Sequence, residues 1–120
     1  MVSELDSMYA AYNEEYENAY TVFLKDVGFI NYKIESETPF EVYIKELYVV
    51  PGKRGAKQAG KLADLCIKEV ESRYNKPIEK LYGSVGIGSN DSTPSFKAMI
   101  DYGFKLLSAN EEMIYLYKEL

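Results

Sequence analysis

The 120-residue chain contains no histidine, and that absence removes the serine and cysteine triads that work through an imidazole base, together with most zinc sites. Acid–base chemistry is left to carboxylate, tyrosine, lysine or water. A single cysteine is present, so no internal disulfide can form. Cys66 falls one helical turn after Leu62 and one before Val70, the place of a small buried core residue. No apolar run approaches the roughly 18 residues of a membrane span, and the N-terminus lacks the basic segment followed by an apolar one that marks a secretory signal. The expectation is a cytoplasmic protein with no membrane partner. Positive charge is also scarce, with 14 lysines and arginines against 19 acids for a net charge of -5. Duplex nucleic acid is therefore not an expected partner, whereas basic acceptors such as lysine side chains, N-terminal amines or polyamines are favoured.

What remains is ordinary globular material. Hydrophobic residues make up 47% and charged residues 28%, and the length suits one domain with one core. Leu5, Met8, Tyr9, Tyr12 and Tyr16 recur at helical spacing after Ser3, predicting an amphipathic helix over 3–17. From Ala19 the period changes to two, and AYTVFL, a Lys25-Asp26 turn and VGFINYKIE predict an antiparallel hairpin over 19–35. A loop at 36–40 leads to a third strand over 41–50. A helix starts near Ala56 and stops at Asn75-Lys76-Pro77, with Ala59, Leu62, Ala63, Cys66, Ile67 and Val70 on one face. A strand over 78–85 loosens into glycine-rich residues, a helix follows over 92–102 and ends at Gly103, and the chain closes with a hairpin whose turn is expected at 108–111. The order of helix, three strands, helix, strand, helix and two strands predicts an α+β fold with a mixed, mostly antiparallel sheet and crossover helices.

The chemistry concentrates between Glu46 and Asp64. Lys53, Arg54, Lys57 and Lys61 lie within nine residues with no acid between them, where an apolar strand passes through a proline and a glycine-bearing turn into a helix. A helix N-terminus offers unpaired N–H groups and about half a positive charge, so a phosphate ligand is the physical expectation. Gly55 to Lys61 has the spacing of a nucleotide P-loop, but Leu62 stands where a hydroxyl should hold magnesium and the parallel βαβ context is missing. The later Gly83 to Gly88 does not open directly into a helix and reads as a strand-end loop.

Val49, Pro51, Arg54, Gly55, Ala59 and Leu62 match instead the pattern V-x-P-x-x-[RQ]-G-x-G-x-[GA] with a leucine three residues on, which resembles the acetyl-CoA motif of the GNAT acetyltransferase superfamily. Lys57 occupies the usual middle glycine. The closing DYGFKLL and EEMIYLYKEL also resemble that family's last helix and hairpin, and the likeness spans about residues 19 to 120. It implies a GNAT-like acyl-CoA N-acyltransferase fold, with the helix over 3–17 in place of a full N-terminal subdomain, and acetyl-CoA as co-substrate.

By that resemblance the backbone of Leu47, Tyr48 and Val49 would run beside the pantetheine arm. Arg54 and the amides of Gly55, Ala56, Lys57, Gln58, Ala59 and Gly60 would cradle the pyrophosphate, and a shifted alignment brings in Asn90. An amine would attack the thioester directly, with Glu46 or Glu41 taking the ammonium proton. The family's tyrosine acid position falls on Met99, and the small residue and asparagine before it fall on Ser95 and Ser92. Tyr102 points roughly 60° away on a helix of about 100° per residue. The elements that usually wall the acceptor site are short of a strand and a helix, so an open face suits a protein lysine or N-terminus, or a subunit partner, a homodimer included. A catalytically silent acyl-CoA-binding regulatory module is the alternative.

Overall fold

A computed structural model of the chain describes residues 20–24, 26–49, 51–53, 56–87 and 92–120. The expected helix over 3–17 lies outside the described residues. The elements run β1 (Thr21–Leu24), β2 (Gly28–Ser36), β3 (Glu41–Val49), a single 3₁₀ turn (Pro51–Lys53), α1 (Ala56–Tyr74), β4 (Lys80–Gly86), α2 (Ser92–Tyr102), β5 (Lys105–Ala109) and β6 (Met113–Glu119). Among the described residues six strands form one sheet in the order β1-β2-β3-β4-β6-β5. In it β3 and β4 pair in parallel, and every other neighbouring pair is antiparallel. Among the described residues no helix is long and apolar enough to cross a membrane.

Local chemistry explains the element ends. Asp26 and Asn75 adopt φ of 63° and 54°, the left-handed region that these short polar residues tolerate, and they close the first hairpin and α1. Gly103, at φ 114°, ends α2 with its amide on the carbonyls of Met99 and Ile100. Two ends differ from the pattern in the sequence. The last turn lies at Asn110–Glu112 rather than 108–111, because the Asn110 side-chain oxygen accepts from the amides of Glu112 and Met113, each at 2.8 Å. The fourth strand starts at Lys80 rather than 78, because the amide of Ile78 donates to the Glu71 carboxylate at 2.7 Å and that of Glu79 to the Phe40 carbonyl at 2.8 Å.

Both helices pack on one face of the sheet. Leu62, Ala63, Cys66 and Val70 of α1 meet Val22, Ile30, Tyr32, Val42, Leu81 and Leu116 in the core, with Phe96, Met99 and Tyr102 of α2 against its edge. Each large aliphatic side chain buried this way contributes on the order of 1.5–3 kcal/mol. Arg73 anchors the far end of α1 by donating to the Tyr32 hydroxyl at 3.1 Å and to the Thr21 carbonyl at 3.5 Å. Burial pushes the Tyr32 phenol up to about 12, with the Arg73 guanidinium working in the opposite sense.

Cys66 is 1% exposed, and burial, aided by the Glu69 charge, pushes its thiol up to about 12. Alkylation needs the thiolate. The native protein is therefore expected to resist iodoacetamide at pH 8 and to react at the rate of a free thiol only after denaturation; rapid native labelling would contradict this placement.

The strand β3 carries one irregularity that decides what faces where. Asn31 pairs with Glu46 and Tyr32 with Ile44, so one step on β2 spans two on β3 and Lys45 is the additional residue of a β-bulge. Before it, Val42 and Ile44 point to the helix-covered core; after it, Val49 does. The bulge therefore turns Glu46 onto the opposite face of the sheet, where it stands across from Asn31 and two residues from Tyr48, which stacks on Phe29 at 5.5 Å.

Candidate functional site

The parallel ladder between β3 and β4 has three rungs, Glu41–Lys80, Val42–Leu81 and Tyr43–Tyr82. Past the last rung β3 runs on for six residues and β4 for four. A bulge bends the strand that carries it, and Lys45 sits two residues beyond that rung, so the two strands part here into a V. Its vertex is at Tyr43–Tyr82 and its mouth at Val49.

The chain leaves the mouth through Pro51–Lys53 and enters α1 at Ala56. The helix N-terminus, with its positive dipole end and unpaired amides, thus stands beside the open end of the V. The first turn holds no acid. Lys57 and Lys61 are exposed, and Gln58 and Ala59 are half-buried. Among the described residues, an anionic group seated against that turn would meet the helix N–H donors and the exposed Lys57, which suits a phosphate-bearing chain whose tail lies in the V. Gly60 plays a different part from its neighbours. A Cβ there would lie 3.6 Å from the Tyr102 ring, and in a helix that begins at Ala56 its amide belongs to the helical ladder. That separation is an ordinary van der Waals contact, so the position faces α2 across a normal packing distance. Arg54, Gly55 and Asn90 lie outside the described residues.

Of the two expected carboxylates, only Glu46 lies on the limb of the V, together with Leu47, Tyr48 and Val49. Glu41 is two rungs below the vertex, five residues from Glu46 or roughly 17 Å along the strand. There it faces Lys80 and shares a shallow polar hollow with Pro39, Glu79 and Glu119. Glu46 keeps part of its surface in solvent, yet partial burial raises its carboxyl above the ordinary carboxylate value. A base poised nearer neutral pH is better matched to deprotonating an ammonium group.

Among the described side chains of α2, neither Met99 nor Tyr102 offers an acid to the V. Met99 lies over Gly83, so closely that a Cβ on that glycine would overlap its terminal methyl. Tyr102 donates its hydroxyl to Asp64 of α1 at 2.5 Å, and burial together with that bond pushes its phenol far above the usual tyrosine range. Its proton is committed to α1.

Two features of the site escaped the sequence pattern. Asn31 is 1% exposed, and among the described residues neither its side-chain oxygen nor its nitrogen has a hydrogen-bond partner. Such a group costs about 1–3 kcal/mol, and it stands directly across from Glu46. The signal was an asparagine set among Phe29, Ile30 and Tyr32 in a strand, where it is disfavoured. The second feature is a hydroxyl pair: Tyr43 Oη and Ser84 Oγ are 2.5 Å apart, one donating to the other. They bridge the face opposite the helices one step above the vertex.

This architecture recurs in solved structures of other proteins. The NatC complex bound to Gag peptide and CoA is 15% identical, with all of this chain and 82% of that one covered at a TM-score of 0.63. The PaiA N-acetyltransferase from Thermoplasma acidophilum in complex with coenzyme A is 16% identical over 96% of this chain and 70% of that one, with a TM-score of 0.65. A GNAT-family acetyltransferase from Bacillus anthracis is 14% identical over 89% and 71%, also with a TM-score of 0.65. No protein-family model matches the sequence, and no curated protein matches it.

Proposed function

From the acyl-CoA N-acyltransferase fold of the GNAT proteins, which this chain has, we propose that it moves an acetyl group from acetyl-CoA to a primary amine. The observation that carries this reading is the V between β3 and β4 with the N-terminus of α1 at its mouth. A thioester arm can lie between the limbs while its phosphates meet the helix dipole, Lys57 and, by the sequence motif, Arg54. Acetyl-CoA brings an activated acyl group and a thiol that leaves readily. The chain's own residues then have simple tasks. Glu46 accepts a proton from the ammonium form of the acceptor, directly or through one water, which frees the lone pair for attack on the thioester carbonyl. The V holds the carbonyl within reach of that amine. The C–S bond breaks as the amide forms; the attacking nitrogen gives up its surplus proton to water, and with Met99 and Tyr102 unsuited to the task the departing thiolate takes its proton from water. A thiol leaves well enough for this to slow the reaction without stopping it.

The acceptor proposed is a lysine side chain or N-terminus of a protein. The acid-rich chain favours basic partners, and the NatC complex is bound to Gag peptide and CoA.

Calorimetry with CoA and acetyl-CoA tests the reading, with Lys57→Glu as the charge reversal. The variant is expected to bind CoA about tenfold or more weakly, since a reversed charge at a helix N-terminus loses both the ion pair and the dipole contribution. Its melting temperature should stay within a few degrees, because Lys57 is exposed. Absence of CoA binding by the wild type removes the proposal. The placement of Met99 and Tyr102 favours one second reading, an acyl-CoA-binding module that regulates a partner; binding without release of free thiol across an amine panel would select it.

A further inference from the structure

The acyl-CoA reading gives the V a direction. With the phosphates held at the N-terminus of α1, beside the C-terminal end of β3, the arm must run down the V and present its acyl group toward the vertex. The vertex is not open-ended. On the face away from the helices the Tyr43 hydroxyl crosses from β3 to Ser84 on β4 at 2.5 Å, one step past the last rung. On the helix face at the same level Met99 covers Gly83, with the Phe104 ring 3.8 Å from where a Cβ would stand. Tyr43, Ser84 and Met99 are all half-buried. The Tyr43 ring is braced from behind by the Lys33 ammonium, 5.4 Å from its centre. The narrow end is therefore walled on both sides, by a hydrogen-bonded phenol on one and a thioether on the other.

We infer that Tyr43 with Ser84, and Met99 opposite them, set the length of acyl chain that this protein accepts, admitting acetyl and turning away longer groups. An acetyl group ends before the bridge. Each further methylene has to displace either a tyrosine held by two partners or a methionine packed into the β4 surface, and close-packed walls resist such intrusion. Of the two walls the methionine is the softer, because its unbranched side chain can change rotamer. The tyrosine bridge is the principal stop.

The inference rests on the acyl-CoA reading, and the test separates the two. Dissociation constants for CoA, acetyl-CoA, butyryl-CoA and hexanoyl-CoA are measured by calorimetry for the wild type and for Tyr43→Ala. The wild type should bind hexanoyl-CoA at least about tenfold more weakly than acetyl-CoA, the scale on which a pocket rejects surplus methylenes. The variant should close that gap while keeping its affinity for CoA itself. Should Tyr43→Ala fail to fold, Ser84→Ala removes the bridge alone and Met99→Ala opens the other wall, and each should shift the acyl profile in the same direction by less. A bridge that only pins the two strands would lower the melting temperature and leave the relative affinities unchanged, which overturns the inference. So does a wild type that binds hexanoyl-CoA as tightly as acetyl-CoA. Binding of CoA with a flat acyl profile refutes this selection alone; no binding of any of the four refutes the acyl-CoA reading and the selection with it.

Discussion

Replacing Glu46 by glutamine is expected to lower kcat/KM for the amine by about 10²–10³-fold, the usual contribution of a positioned base, while leaving the affinity for CoA intact. The glutamine keeps the size and hydrogen-bonding reach of the side chain and removes only its ability to take a proton. Two pH signatures distinguish this from general damage. A base works as the carboxylate, so the wild-type rate falls as pH drops through the Glu46 pKa; since burial raises that value, the acid limb lies above the ordinary carboxylate range. In the glutamine variant that limb disappears. Stability moves the other way. A carboxyl whose folded pKa is raised contributes most below its unfolded value of about 4.3 and loses that contribution as pH rises through the folded value. The variant should therefore be at least as stable as the wild type at neutral pH, with the difference vanishing in acid. An unchanged kcat/KM in Glu46→Gln would sink the assignment of the base.

The largest effect on stability is expected at Gly28. It opens β2 opposite Val49, and a Cβ there would overlap the Tyr48 carbonyl oxygen and lie 3.0 Å from its carbon and 3.1 Å from the Val49 Cα. These are backbone atoms of the neighbouring strand, so no rotamer change can relieve the clash; β3 has to move. Gly28→Ala is expected to cost about 2–3 kcal/mol, the range of overpacked sites, and to lower the melting temperature by roughly 10–20 °C in a domain of this size. Gly52→Ala is the control, because a Cβ there meets nothing within 4 Å. The displaced segment, Tyr48 and Val49, is the limb at the mouth of the V. CoA affinity should accordingly fall along with stability in the first variant and stay level in the second. A thermal scan in which the two alanine variants melt together would show that β2 and β3 are not held as closely as the geometry requires.

The elements of the described residues were legible in the chain because their signals are local. Periods of two and 3.6 separated strands from helices, and Asp26, Asn75 and Gly103 marked turns and stops through their own conformational preferences. The basic stretch was legible for the same reason, since a strand, a proline and a helix start follow one another directly. What the sequence could not supply was anything decided by pairing. Nothing in the residues of β3 and β4 states that their ladder stops after Tyr43–Tyr82, and Glu41 and Glu46 look equivalent until that vertex falls between them. Nor does the motif reveal that Gly60 looks toward Tyr102 while the helix start is built from the residues before it. Asn31 and the Tyr43–Ser84 bridge were invisible for a related reason, as each depends on a partner on another strand. The bulge was half-visible: apolar residues at Val42 and Ile44 and then at Leu47 and Val49 change parity, which a strand without an inserted residue does not do.

That parity change at Lys45 makes the lower and upper halves of one strand answer to different demands. Below it the even-numbered side chains are chosen by the core; above it the same numbering rule selects those that meet the outside. The sheet can hence alter the face that carries Glu46 and Tyr48 without renegotiating the interior below. Chain length there, rather than side-chain identity, is the quantity that evolution or a designer cannot adjust by one.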